Sequence, residues 1–342
     1  MVDFSMIEAA AGRLDGKARR TPLLRAPLLD ALAGRRVYVQ AECLQLTGSF
    51  KFRGGWSAIS ALSEEQRRRG VIAFSSGNHA QGVALAAKMH GIPALIVMPS
   101  DAPLPKLENT RAYGAEVVTY DRYTEDRDAI GEKLSRQRGL TLIRPFDDEQ
   151  VISGQGTVGL EIAEQAREEG ISPCAVLVPC GGGGLTAGIA LALEQKAPGF
   201  VVHTCEPQNY DDAARSLAAG ERLAIEGHAP TICDAIVTPK PGELTFPVMK
   251  RLCGKGFAVT DDEVRMAMAH AANHLKLVIE PGGAVALAAA LFRKEELSGD
   301  SVIVVASGGN VDPELFASTL AAGGLSFGRL TGTNYHFPPS PL

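Results

Sequence analysis

Lys51 stands between Phe50 and Phe52 in the run TGSFKFRGG. Lysines are ordinarily solvated, and most in this chain invite no other reading. Apolar neighbours on both sides desolvate an amine, lowering its pKa and favouring the neutral nucleophile that forms imines. A second run, Cys180-Gly181-Gly182-Gly183-Gly184-Leu185, lies between an apolar strand and a helix that begins near Thr186. A glycine loop entering a helix presents free N–H groups and the positive end of the helix dipole, which suits a phosphate. A tight turn alone does not need four consecutive glycines. No Lys-Ser/Thr follows, so this is not a P-loop.

Two further runs sit at strand ends. Ser75-Ser76-Gly77-Asn78-His79 can hold a carboxylate or phosphate with hydroxyls and helix N–H groups, although plain capping by Ser76 or Asn78 would use the same residues. Ser307-Gly308-Gly309-Asn310 by itself marks a turn. Gly182 to Ala187 also spells G-x-G-x-x-A, with Glu206 at the end of the next strand, a loose dinucleotide fingerprint that keeps an NAD-dependent oxidoreductase open. Together the four runs supply a desolvated amine, a phosphate cradle and carboxylate-binding groups. That set fits a phosphorylated aldehyde better than NAD, which needs no imine-forming lysine.

The elements that position these residues alternate between strand and helix, which predicts an α/β protein with mostly parallel sheets. Apolar runs at 71–74, 94–98, 116–119 and 141–144 are separated by helical stretches at 80–90, 103–112 and 124–137. A second series has strands at 38–42, 175–179, 201–205 and 301–306, with helices at 154–169, 184–195, 261–276 and 282–294. Two sheets flanked by helices imply two domains with a cleft between. Residues 1–72 and 148–326 form the larger, 73–147 the smaller, and the proline-bearing stretch 327–342 a loose tail.

Composition excludes several classes. The chain has 342 residues, 45% hydrophobic and 21% charged, which is ordinary for a globular protein of roughly two domains. A net charge of −5, with no basic run beyond Arg67 to Arg69, argues against a nucleic-acid partner. No apolar stretch reaches the ~18 residues of a membrane span, and the N-terminus lacks signal-peptide features. Six scattered cysteines form no CxxC pair, as expected of reduced thiols in a cytoplasmic protein.

TGSFKFRGG, SSGNHAQG, ISGQGT, PCGGGGLTAG, EPGGA and SGGNVD, in this order, resemble the fold type II pyridoxal-phosphate (PLP) enzymes, a tryptophan synthase β-like fold with the cofactor in the cleft. Within them the chain resembles the serine/threonine dehydratase and serine racemase branch. The resemblance implies that Lys51 holds PLP covalently, with Phe50 beside the ring and Asn78 on the ring hydroxyl. Gly181, Gly182, Gly183, Gly184 and Leu185 would cradle the phosphate, and Ser307 would meet the pyridine nitrogen. Ser75, Ser76, Asn78 and His79 would surround the substrate carboxylate, with Arg127 in the same pocket. The run from Glu206 to Asp212 resembles a divalent-cation loop, with carboxylates from Glu206 and Asp212 and the Tyr210 carbonyl, an oxygen set suited to Mg²⁺, with Ca²⁺ or Mn²⁺ as alternatives. Asp234-Ala235 stands where the family often has Asp-Gly, and the stretch 238–244 also departs from the racemases. The chain stops near residue 342, without room for the regulatory domain that biosynthetic threonine dehydratases append, so the resemblance does not lead one to expect feedback control by isoleucine. A homodimer is expected. The implied activity is dehydration of L-serine, L-threonine or 3-hydroxyaspartate to a 2-keto acid and ammonia. The alternative is racemisation, with Lys51 and Ser76 on opposite faces.

Overall fold

Valine- and isoleucine-rich runs that are apolar at every position suit strands covered on both faces, as in parallel sheets. The computed structural model describes residues 2–327, apart from residues 76, 103, 122, 123 and 228, and contains ten strands among them, of which Val71–Phe74 and Ala94–Pro99 are buried throughout. In chain order they are β1 Leu23–Leu24, β2 Arg36–Gln40, β3 Val71–Phe74, β4 Ala94–Pro99, β5 Glu116–Tyr120, β6 Thr141–Leu142, β7 Ala175–Pro179, β8 Val201–Pro207, β9 Phe257–Val259 and β10 Ser301–Val305. Ser76 and the expected tail beyond Phe327 lie outside the described residues.

The strands form two sheets. One has the order β1-β2-β10-β7-β8-β9 and the other β5-β4-β3-β6. Every pairing is parallel except that of β1 with β2. The division expected between residues 72 and 73 falls inside β3, which pairs residue by residue with β4 from Val71 to Phe74. The strand expected at 141–144 stops at Leu142, and the backbone of 143–145 turns to other uses described below.

Close helix packing, which sequence periodicity did not reveal, brings the parts together. The helix Glu149–Glu168 begins five residues before the expected start, with Asp148 as its cap accepting from the N–H groups of Gln150 and Val151. Gly154, Gly156 and Gly159 lie inside this helix, where each is less favourable than alanine on propensity alone. Here they permit contact: a Cβ at Gly154 would lie 2.5 Å from the Arg53 carbonyl oxygen, and one at Gly188 would lie 2.6 Å from the Gly156 nitrogen. The helix Lys51–Ser60 is held in the same way on its other side, where a Cβ at Gly82 would sit 2.9 Å from the Lys51 carbonyl carbon. Arg53, 1% exposed, ties this helix further through ion pairs to Glu42 and Glu161, each at 2.7 Å.

Gly188→Ala therefore forces backbone apart and should cost at least about 2 kcal/mol, read as a lower urea midpoint at unchanged slope. Gly12→Ala, in the helix Phe4–Leu14 with nothing within 4 Å of the added carbon, should instead gain a few tenths to about 1 kcal/mol.

Candidate active site

The carboxyl ends of strands in open α/β sheets are where ligands bind, and here β3, β7 and β10 deliver Ser75, Gly181 and Ser307 to one place. They line a cavity of about 790 Å³ between the two sheets. Phe50, Lys51, Asn78, His79, Arg127, Gly182, Gly183, Gly184 and Leu185 line it too. Every described residue that the sequence assigned to cofactor or substrate thus meets at one cavity. Glu206, Tyr210 and Asp212 lie apart from it.

Lys51 opens its helix at the floor of the cavity. Its Nζ donates to the carbonyl oxygen of Pro145 at 2.7 Å and lies 5.1 Å from the centroid of the Phe50 ring. Burial pulls its pKa down to about 8, with the charge of Glu280 opposing. Phe52 turns the other way and packs beside Trp56, 0% exposed. The lysine is anchored from below as well, since the Phe50 N–H donates to the Ser307 carbonyl at 3.1 Å.

The glycine loop enters the helix Gly184–Lys196, whose first turn has no capping side chain. Gly183 has φ +91°, a left-handed conformation that favours glycine. A Cβ on Gly182 would collide with the Phe146 ring. The concave run of N–H groups therefore depends on the missing side chains.

Asn78 and His79 begin the helix Asn78–His90, also without a capping side chain. The Asn78 amide is fixed at both ends: its Nδ2 donates to Glu280 at 2.5 Å, and its Oδ1 accepts from Asn310 at 2.7 Å. His79 is 2% exposed and donates from Nε2 to the Ile143 carbonyl at 2.9 Å. Burial foremost, then the Lys51 charge, drives its pKa down to about 3. The ring is neutral, and its buried Nδ1 is an acceptor without a partner among the described residues. Arg127 lies on the rim, 5.5 Å over the Phe74 ring.

Two site residues were not singled out from sequence, although both lay in quoted runs. Glu280, from EPGGA, is 3% exposed, and burial pushes its pKa up to about 7. Gln155, from ISGQGT, is 1% exposed, and neither its oxygen nor its nitrogen has a partner among the described residues.

At the separate acidic loop, the two oxygens of Glu206 accept from the N–H groups of Ala213 and Ala214 at 2.9 and 2.8 Å. Burial raises its pKa and the nearby Asp212 adds to this. Asp212 Oδ2 is buried without a partner among the described residues, while the Tyr210 hydroxyl donates to the Ala229 carbonyl at 2.9 Å. No cluster of three or more metal-ligating side chains occurs among the described residues. Glu206 is fully buried and engaged with backbone, so it is not placed to hold a ribose hydroxyl as the dinucleotide reading requires.

Comparison with known proteins agrees with this geometry. The family model described as "Pyridoxal-phosphate dependent enzyme" matches residues 14–308. The L-threo-3-hydroxyaspartate ammonia-lyase of a Pseudomonas species is 44% identical over 312 residues, covering 91% of this chain and 96% of the relative. The L-threonine ammonia-lyase of Thermotoga maritima is 39% identical over 329 residues, covering 96% and 80%. The solved structure of maize serine racemase superposes with a TM-score of 0.86 at 37% identity, covering 96% and 99%. No helix among the described residues is long and apolar enough to cross a membrane. The chain belongs to the pyridoxal-phosphate dependent enzyme family, with the paired parallel sheets of its fold type II members.

Proposed function

We propose that this enzyme removes water from a small β-hydroxy amino acid and releases a 2-keto acid and ammonia. The observation that carries the reading is the Lys51 amine, held by a carbonyl and not by a carboxylate, with its pKa lowered to about 8. The names of the Pseudomonas and Thermotoga relatives, both ammonia-lyases, support the same reaction class.

The residues fit pyridoxal phosphate. The glycine loop, whose Gly182 has no room for a side chain beside Phe146, offers N–H groups to a phosphate, and Lys51 offers an amine to an aldehyde. Ser307 would meet the ring nitrogen and Asn78 the ring hydroxyl, with Phe50 alongside. When bound, the cofactor withdraws electrons from the substrate Cα and acidifies its C–H bond. Lys51 in its neutral form takes that proton. The β-hydroxyl departs with a proton as water, and one water later hydrolyses the unsaturated amine to keto acid and ammonia. The substrate carboxylate is held by Ser75 and the N–H groups opening the Asn78 helix. The neutral His79 ring serves as an acceptor there, so its contribution to an anion comes from its backbone. Glu280 keeps the Asn78 amide oriented.

Racemisation is the second reading, favoured by the likeness to maize serine racemase. It needs a proton donor on the face opposite Lys51. That role falls to Ser76, outside the described residues.

A divalent cation, Mg²⁺ or one of its alternatives, is proposed at Glu206, Asp212 and the Tyr210 carbonyl. The unpartnered, buried Asp212 Oδ2 fits a cation ligand. We also infer a homodimer and a reducing, cytoplasmic setting. Leu44 and Val278, 42% and 48% exposed, offer apolar surface for the first, and six free cysteines support the second.

Wild type should release keto acid from a β-hydroxy L-amino acid faster than it forms the D-isomer, followed by chiral chromatography beside a keto-acid assay. Lys51→Ala should reduce turnover by at least about a thousandfold, as loss of an acid–base group does, and should lose covalent cofactor. Full turnover in that variant would overturn the role of Lys51. Chelation should lower the melting temperature of wild type, because a ligand bound only to the folded state stabilises it. Glu206→Ala should remove that sensitivity. An unchanged wild-type melting temperature in EDTA would count against the cation.

A further inference from the structure

The charges that line the cavity are unevenly committed. Each of its carboxylates already has a donor. Glu125 accepts from the Asp121 N–H at 2.7 Å and Asp126 from the Ala129 N–H at 3.2 Å. Asp147 accepts from the N–H groups of Glu243 and Leu244, at 3.0 and 2.8 Å. Asp234 pairs with Lys106 at 3.1 Å, and Glu280 accepts from Asn78. Among the cations, Lys51 donates to Pro145, Lys106 is paired with Asp234, and Arg127 is engaged with a neighbour. Arg144 and Lys240 are exposed, line the cavity and have no ion pair or hydrogen bond among the described residues. The uncommitted charge of the site is positive.

Of these two, Arg144 has the more rigid mounting. The Ile143 N–H donates to the Ile72 carbonyl at 2.9 Å, which continues the line of β6 along β3. The Ile143 carbonyl accepts from His79 and the Pro145 carbonyl accepts from Lys51. The backbone on either side of Arg144 is thus pinned to two residues of the site. Ile143 is buried at 2% exposure, and in an extended segment successive side chains face opposite ways. Arg144 is accordingly turned out of the core, at the cavity rim. The acid it acts on, Asp148, already caps the helix Glu149–Glu168 through the N–H groups of Gln150 and Val151. Lys240 sits on a different wall. Its loop packs on the glycine loop, where the Gly242 N–H donates to the Gly182 carbonyl at 3.1 Å.

A substrate with one carboxylate is satisfied by Ser75 and the opening of the Asn78 helix. It leaves Arg144 with nothing to bind. A second carboxylate on the β-carbon provides the planar partner that a guanidinium binds with two parallel hydrogen bonds. We propose that Arg144 receives this second carboxylate, so that the enzyme selects dicarboxylic β-hydroxy amino acids such as 3-hydroxyaspartate over serine and threonine. This rests on the dehydratase reading above and narrows it to one substrate class.

The test is a steady-state comparison on the cofactor-loaded enzyme, with the stereoisomers of 3-hydroxyaspartate, L-serine and L-threonine as substrates. Wild type should favour one hydroxyaspartate isomer in kcat/KM. Arg144→Gln should lower kcat/KM for that isomer by about 10- to 100-fold, the scale of a lost charged hydrogen bond, and change serine less than about threefold. Arg144→Lys should recover part of the loss, and Lys240→Gln should keep the preference. Succinate, which carries two carboxylates but cannot react, should inhibit wild type and lose at least about tenfold in affinity in Arg144→Gln. Equal losses for serine and hydroxyaspartate in Arg144→Gln, or loss of the preference in Lys240→Gln alone, would overturn the proposal. If no substrate yields keto acid while succinate binding still depends on Arg144, the carboxylate site stands and the dehydratase reading falls.

Discussion

An amine that acts as a base near neutral pH has to be kept away from carboxylates and from bulk water. Burial of Lys51 meets the second demand, and its hydrogen bond to the Pro145 carbonyl gives the amine a neutral partner in place of a carboxylate. The carbonyl comes from the segment that follows β6, and the lysine from a helix between β2 and β3. Much of the remaining site follows from holding these two pieces in register. Glu280 is close enough to act on the Lys51 charge, but its carboxylate is turned to Asn78 and its own ionisation is disfavoured by burial.

That register comes from backbone contact more than from side chains. The Lys51 helix touches the Asn78 helix at Gly82 and the helix Glu149–Glu168 at Gly154, at distances that no Cβ allows. Glycine inside a helix costs about 1 kcal/mol each against alanine. The return is that the lysine, the Asn78 amide and the His79 ring are carried on rigid elements in contact. Arg53 adds buried ion pairs on the side of the helix away from the solvent. Removing one partner of such a pair is costly because it strands the other charge.

The alternation of strand and helix was legible because runs such as 71–74 and 302–305 are apolar at every position and buried at every position. The lysine was legible because its two phenylalanine neighbours already announce desolvation. The first turn of the helix Glu149–Glu168 was not, because its start is set by the Asp148 side chain accepting from Gln150 and Val151 and not by apolar periodicity. Glu280 and Arg144 were missed for a related reason. One is an acid that looks solvated until Asn78, some two hundred residues earlier in the chain, reaches it. The other is an arginine whose significance depends on the carbonyls on either side of it. The neutrality of His79 is likewise a product of tertiary burial, and it changes what its ring can do for an anion.

The most direct measurement is to reduce the cofactor-loaded protein with borohydride, digest it and locate the cofactor-modified lysine by mass spectrometry. A stoichiometric adduct on the peptide containing Lys51, and on no other lysine, is the predicted result. An adduct on Lys106 or Lys240, or no covalent adduct at all, would contradict the placement of the reactive amine at Lys51.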